Sequence, residues 1–284
     1  MIKKNPEVSI ITTFFEGSIE FLVENIISVE KQTFDEFEHI IINDGCDINV
    51  QDFINFSRYS SKIRYLKNIL NGGQANAINY GIKKASPKSS FIAFCDQDDW
   101  WLDNKLERSI NLLKEDDSLD LVFSDALVSD EKGRIKSNSY MTSRGVTLEE
   151  GVICGDLALT MLLNRNFVPG PVSMVVRKRV FDVVGLMNEQ FSSIYDYDFL
   201  FRFFEEGLRA YFIKEPLVVY REHSGQYSRN IRVIKKNQLL IIISFFFRNK
   251  IFFITNPWLF FKKCTKTIFS FIFNITASDF TKKL

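Results

Sequence analysis

Across the first 125 residues, short β-branched or aromatic runs alternate with stretches whose apolar positions recur every three or four residues. Residues 8–13, 38–43, 63–66, 91–95 and 120–124 have the length and composition of buried strands. Ser18 suits an N-cap ahead of Ile19, Leu22, Ile26 and Val29 at helical spacing. Asn71-Gly72-Gly73 breaks the chain before a second apolar face of Ala75, Ile78, Ile82 and Ala85, and Leu102, Leu106, Ile110 and Leu113 form a third. Strands alternating with helices of this length predict right-handed βαβ units. The expected fold is therefore α/β, Rossmann-like, with a mostly parallel sheet flanked by helices. Ligands of such sheets bind outside the carboxyl ends of the strands. Thr13, Asp44 and Asp96 all fall at those ends.

Asp96, Asp98 and Asp99 crowd the point where residues 91–95 surface. Like-charge repulsion there must be offset by a cation or by strong donors. Mg²⁺ and Mn²⁺ take one or two carboxylates together with phosphate oxygens, so the patch suits a metal–diphosphate anchor. Read alone, it suits equally a solvated loop capping a helix that begins near Asp103.

The second half is less regular. A polar stretch runs to Gly145, residues 157–163 are apolar, residues 172–177 read as a strand, and helical spacing returns over residues 194–206. Residues 211–220 read as a strand interrupted at Pro216. In the helical stretch, Asp196 and Asp198 lie about 200° apart around the axis, so only one can face a crevice. Asp198 sits four residues before Arg202, the spacing of a surface salt bridge, which leaves Asp196 for the crevice.

The net charge of +1 conceals a split. From residue 231 onward there are ten Lys/Arg and a single acid, Asp279, leaving 26 basic and 34 acidic side chains in the first 230 residues. The acidic body argues against nucleic-acid binding. The basic, Phe-rich tail holds charge-free stretches such as residues 237–247 and 251–261, each too short to span a bilayer, flanked by Lys235, Lys236, Arg248, Lys250, Lys262, Lys263 and Lys266. Such helices suit the interface of an anionic membrane, or a hairpin packed on the body. Cys46, Cys95, Cys154 and Cys264 lie far apart without a CxxC pair, so neither a disulfide framework nor a zinc site is expected. The basic N-terminus lacks the apolar core of a signal peptide. No GxGxxG follows the first strand, which disfavours a dinucleotide-dependent dehydrogenase.

Taken in order, Val-Ser-Ile-Ile-Thr-Thr-Phe-Phe, Asn43-Asp44-Gly45, Asn71-Gly72-Gly73, Asp96-Gln97-Asp98-Asp99-Trp100, Tyr195-Asp196-Tyr197-Asp198 and Arg221-Glu222-His223 resemble the family 2 inverting glycosyltransferases of the GT-A fold. The form Asp-Gln-Asp-Asp-Trp followed by Asn-Lys-Leu-Glu is similar to bacterial surface-polysaccharide transferases. The resemblance implies a sugar transfer from a nucleotide-sugar donor, UDP- or dTDP-linked, to a growing surface glycan, including one carried on a lipid. It implies that Asp44 accepts the imide N–H of the base, that Phe15 stacks where a Tyr is usual, that Thr13 donates to base or ribose, and that Asn71 and Asp96 complete the nucleotide site. Asp98 is implied as ligand of Mn²⁺ or Mg²⁺, His223 as a phosphate or metal contact, and Asp196 as the base, with Tyr195 in place of the family's Glu. It further implies a nucleotide-sugar-binding half over residues 1–125 and an acceptor-binding half of the same domain over 126–230, while composition marks off amphipathic membrane-associating or packing helices over 231–284. The expected location is cytoplasmic, peripheral on the inner face of the cell membrane. A glycan-binding or assembly subunit that kept the fold and lost turnover is the competing expectation. His39, inside a strand, is read as structural, and Trp100 and Trp101 as either pocket walls or packing.

Overall fold

A computed structural model describes residues 5–48, 50, 54, 60–68, 71–226, 230–258, 261–262 and 265. Met1–Lys4, Lys263, Cys264, Lys266 and everything beyond lie outside the described residues.

Among the described residues ten strands share one sheet: β1 (Val8–Phe14), β2 (Phe37–Asn43), β3 (Ile63–Lys67), β4 (Phe91–Phe94), β5 (Trp100–Trp101), β6 (Leu121–Ser129), β7 (Ile135–Ser137), β8 (Gly151–Ile153), β9 (Met174–Arg177) and β10 (Ala210–Arg221). Their order is β3-β2-β1-β4-β9-β6-β10-β5, with β7 on β6 and β8 on β10. β1, β2, β3 and β4 pair in parallel. β9 runs against both of its neighbours, β4 and β6, and β10 is parallel to β6. Six longer strands thus point one way, as expected, while β9 and the short strands are reversed.

Every residue of β1 and β2 is buried. Ile11, Ile40, Ile42 and Phe94 pack on one face, and Val8, Ile10, Phe91 and Ala93 on the other. Burial on both faces is why these strands are written as continuous apolar runs instead of alternating ones.

The longer helices are α1 (Ile19–Glu30), α2 (Gln74–Lys84), α3 (Lys105–Glu115), α4 (Gly155–Asn164), α5 (Tyr195–Glu205), α6 (Ile231–Arg248) and α7 (Lys250–Thr255). Ser18 caps α1 by accepting the Phe21 N–H. α3 begins at Lys105, just beyond Asp103, because Asn104 takes the N-cap position.

Two sequence expectations are revised in extent. The strand expected over 120–124 continues to Ser129, because β10 pairs with it along its length, slipping register around Pro216. Asp125 hid this continuation: it is buried, and accepts the N–H of Ala126 and of Met141 and the Ser139 hydroxyl. Residue 125 accordingly lies inside a strand that serves both halves of the chain.

The first tail stretch belongs to α6, which packs on α5. Ile241, Ile242 and Phe245 are buried, the Phe245 and Phe201 rings are 4.6 Å apart, and Arg248 forks onto Glu205 at 2.7 and 2.9 Å. Among the described residues no helix is long and apolar enough to cross a membrane. Leu240, Phe247, Ile254, Trp258 and Phe261 remain exposed.

Candidate active site

The parallel strands deliver their carboxyl ends to one edge, and two adjoining cavities open there. The larger, about 620 Å³, is lined by Thr13, Phe15, Asp44, Asn71, Asp96, Asp98 and His223. The smaller, about 220 Å³, is lined by Asp196 and Asn166 together with Asp96 and Asp98. Gln74, Asp96, Asp98, Ser192 and Gln226 border both, so all eight residues singled out in the sequence face one divided cleft.

Asp44 follows β2 and is almost fully enclosed. Asn68 donates to its Oδ1 at 2.7 Å, and the N–H groups of Gly72 and Gly73 also point at it. Burial raises its pKa, and those three donors oppose the rise. The glycine turn therefore aims its N–H groups at this carboxylate. Gly73 has φ 83°, which a side-chain-bearing residue adopts at a cost. Asn43 supports the turn instead of reading a ligand: its amide donates to Cys46 O at 2.9 Å and to the Tyr65 hydroxyl at 2.7 Å. Phe15 is 41% exposed at the cavity rim, so it is a free ring face and not core.

The three clustered aspartates separate into two roles. Asp96 accepts from Gln74 Nε2 at 3.0 Å, and Asp98 Oδ2 lies 2.9 Å from His223 Nε2, both facing the cleft. Asp99 turns inward, 3% exposed, and accepts the Arg221 N–H at 2.8 Å. Burial, then Asp98 and Asp196, push Asp96 up to about 7. Burial, then Asp98 and Asp96, carry Asp99 well above the usual carboxylate range.

Two residues to which the sequence reading gave no role hold this loop. Arg221 is buried: Nε donates to Asp98 O at 2.9 Å, one terminal nitrogen to Glu131 O at 3.0 Å and the other to Glu24. Its guanidinium lies between Phe21 and Trp100, 4.0 and 4.5 Å from their centroids. Asn25 donates from α1 to Asp96 O at 2.8 Å, Asp99 O at 3.1 Å and Cys95 Sγ at 2.9 Å. The signal for Asn25 was a polar residue inside the Leu22–Ile26–Val29 apolar face. Trp101 is core, its indole donating to Val172 O at 3.0 Å. His39 is likewise interior, bonded to Thr12 at 2.8 Å and pushed by burial down to about 3.

Asp196 lies in the first turn of α5, reached through Ile194 in the left-handed region at φ 52°. The Asn166 side chain and nearby backbone N–H groups donate to it, and burial dominates, raising its pKa to about 6. Asp198 points away and pairs with Arg202 at 2.8 Å, as its spacing predicts. That pair is not on the surface, however. Asp198 is 1% exposed, and Arg202 also donates to Val184 O and Leu186 O, tying α5 to the segment before it.

Asp98 and His223 are the donor pair available to a divalent ion. Among the described residues no set of three or more His, Cys, Asp or Glu side chains could hold one unaided. One carboxylate and one imidazole, beside a second carboxylate at Asp96, suit an ion completed by substrate phosphate oxygens.

Residues 9–184 match the model of the glycosyl transferase family 2. The chain belongs to that family. The family 2 member is 30% identical over 231 residues to an uncharacterized glycosyltransferase of Rickettsia felis, covering 80% of this chain and 36% of that protein. It is 29% identical to one of Rickettsia typhi, covering 78% and 66%. It thus spans a little over a third of the first relative and about two thirds of the second. Crystal structures of S. aureus TarS share the fold: the 1–349 form in complex with UDP-GlcNAc superposes with a TM-score of 0.63 at 18% identity, covering 84% of this chain and 66% of that one. The central sheet flanked by helices is the GT-A arrangement expected from the sequence.

Proposed function

We propose that the chain moves a single sugar, with inversion, from a nucleotide donor to a hydroxyl of a growing bacterial surface glycan. The observation that carries this reading is the divided cleft: Asp44 and Phe15 at one end, Asp196 at the other, Asp96 and Asp98 between. Residues 1–125 serve the donor and residues 126–230 the acceptor.

Asp44 commits Oδ1 to Asn68 and keeps an acceptor for the imide N–H of uracil, while the Phe15 face stacks on the base and Thr13 donates to base or ribose. Thymine offers the same N–H. Asn71 closes this end, and Asp96 accepts from the ribose. UDP is the favoured carrier, because TarS, of the same fold, binds UDP-GlcNAc. Asp98 and His223 would hold Mg²⁺ or Mn²⁺, which when bound neutralises charge developing on the departing diphosphate. The acceptor oxygen attacks the anomeric carbon from the face opposite the nucleotide. As that C–O bond forms and the sugar–phosphate bond breaks, the hydroxyl proton passes to the Asp196 carboxylate. Asn166 holds that carboxylate in place.

The exposed tail residues Leu240, Phe247, Ile254, Trp258 and Phe261, set among basic side chains, support peripheral attachment to the inner face of the cell membrane, where lipid-carried glycan acceptors reside.

The deciding experiment is Asp196→Ala assayed for UDP release from UDP-sugars with acceptor, beside UDP affinity by calorimetry. Loss of release with affinity kept is expected. A variant that still turns over would remove Asp196 from the reaction, and a wild-type chain that binds UDP but never turns over would favour a glycan-binding subunit.

A further inference from the structure

An unbroken chain of side-chain hydrogen bonds joins the nucleotide end of the cleft to the segment that carries Asp196. Asn68 Nδ2 donates to Asp44 Oδ1 at 2.7 Å and to Asn76 Oδ1 at 2.9 Å. Asn76 Nδ2 donates to one oxygen of Glu189 at 2.9 Å, and Asn79 Nδ2 to the other at 2.8 Å. Asn79 is itself locked, accepting the Met187 N–H and donating to Met187 O, each at 2.9 Å.

Every bond in this chain has a fixed direction. Asp44 and ionised Glu189 can only accept. Turning the Asn79 amide would break both bonds to Met187. Turning Asn76 would set its NH₂ against that of Asn68, which already serves Asp44. The two asparagines on α2 that meet Glu189 lower its pKa, so it carries charge throughout the working pH range.

Residues 187–194 have reason to be held. They end at Ile194, whose φ of 52° is strained for a β-branched side chain and persists only where the surroundings over-determine it. On the far side, Asn237 of α6 donates to Ser193 O and Oγ, both at 3.3 Å. Ser192, Ser193 and Ile194 line the smaller cavity directly before Asp196.

We propose that Glu189 is a positioning residue: by bridging Asn76 and Asn79 it sets the segment ending at Ile194, and through it the place of Asp196, relative to the nucleotide end of the cleft. This rests on Asp196 being the base.

The fixed bond directions supply the test. Glu189→Gln offers one oxygen and one NH₂ to two donors, so one contact becomes a clash. Asn76→Asp sets two carboxylates face to face. Combined, the two changes restore complementarity. The new amide at position 189 accepts from Asn79 and donates to the new carboxylate at position 76, which still accepts from Asn68. Glu189 is exposed and Asn76 half-buried, and both changes keep the size of the side chain, so neither empties the core. Turnover is read as UDP released from the UDP-sugar that thermal shift with Mn²⁺ selects from a panel, affinity as UDP calorimetry, and geometry as amide exchange over residues 187–197. Each single variant should lose about tenfold in kcat, the scale expected for a reacting group displaced by part of an ångström. UDP affinity should hold, exchange should rise in that segment, and the double variant should recover both. Singles that turn over normally, a double as impaired as the singles, or UDP affinity falling in step with kcat would each overturn the proposal. If the wild-type chain binds UDP but transfers nothing, the transferase reading is what fails. Unchanged exchange in Glu189→Gln would then overturn the positioning role separately.

Discussion

A carboxyl group raised to about 6 by burial is ionised at neutral pH yet a stronger base than a solvated aspartate, which suits Asp196 to take a proton from a hydroxyl. The rate of transfer should therefore fall as pH drops through about 6, the protonated form being inactive. A flat kcat between pH 5 and 8 would remove Asp196 as base. The same shift has a stability consequence. The folded-state pKa lies above the ordinary value of 3.8, so the fold is favoured while Asp196 is protonated and loses that advantage as pH rises through about 6. Asp196→Asn should thus abolish turnover yet melt higher than the parent at pH 7.5, by an amount of order 3 kcal/mol in stability, with the difference vanishing below about pH 4. Calorimetric melts at both pH values decide this. A lower melting point at pH 7.5 would mean that donors to the carboxylate outweigh its desolvation. Arg221 makes the opposite case. It is 2% exposed with three carbonyl or carboxylate partners and two aromatic faces, so Arg221→Lys leaves most of those partners unserved. We expect a loss of about 2 kcal/mol in denaturant unfolding, because the Asp98 and Glu131 carbonyls lose a charged donor, whereas Glu24, 56% exposed, turns to water. UDP affinity should weaken with it, because Arg221 anchors the Asp98 carbonyl. Wild-type stability in this variant would demote Arg221 to a bystander.

The elements that were legible in the sequence are those whose pattern is complete within a few residues. β1, β2 and β4 are continuous β-branched or aromatic runs because both sheet faces are covered, and α1 announces its start with Ser18. The polar residues at their carboxyl ends then converge by topology alone, which is why Thr13, Asp44 and Asp96 could be named in advance. What stayed hidden depends on partners distant in sequence. Nothing near Asp125 shows that β10 will pair beside it, and Asp99 looks like its neighbours until Arg221, 122 residues away, takes its side chain inward. Asn25 left a trace as a polar intrusion on an apolar face, but its acceptors belong to another loop. The role of α6 was equally remote, because its buried face is defined only against α5. Phe245 is 0% exposed and packs against the Phe201 ring, so Phe245→Ala should destabilise by about 3–5 kcal/mol. It should also raise amide exchange along α5, and a change confined to α6 would show the tail helix to be a mere appendage.

At the scale of the molecule, charge and apolar exposure divide along the same line. The first 230 residues hold more acids than bases, whereas the remaining 54 carry ten Lys/Arg and one acid. Ile241, Ile242 and Phe245 of α6 are buried and Phe252 packs on Phe245, whereas Leu240, Phe247, Ile254, Trp258 and Phe261 are 45%, 65%, 77%, 78% and 62% exposed. An acidic body is repelled by an anionic surface and a basic aromatic tail is drawn to it, so attachment would orient the chain tail-first. Each Lys or Arg near such a surface contributes about 1 kcal/mol, screened within a Debye length. The chain should then co-sediment with phosphatidylglycerol vesicles at low salt, release at about 0.5 M salt, where the Debye length is only a few ångström, and ignore phosphatidylcholine vesicles. Trp258 reports the event, because Trp101 is 2% exposed and Trp100 is sandwiched against Arg221, so a blue shift of tryptophan emission on binding comes from the tail. Phe247→Asp with Ile254→Asp should abolish both the shift and the sedimentation while leaving UDP affinity unchanged, since neither residue borders the cleft. Equal binding to neutral vesicles would make the attachment apolar and not electrostatic. No binding to either would reassign the exposed face to a protein partner, and the charge split would need another cause.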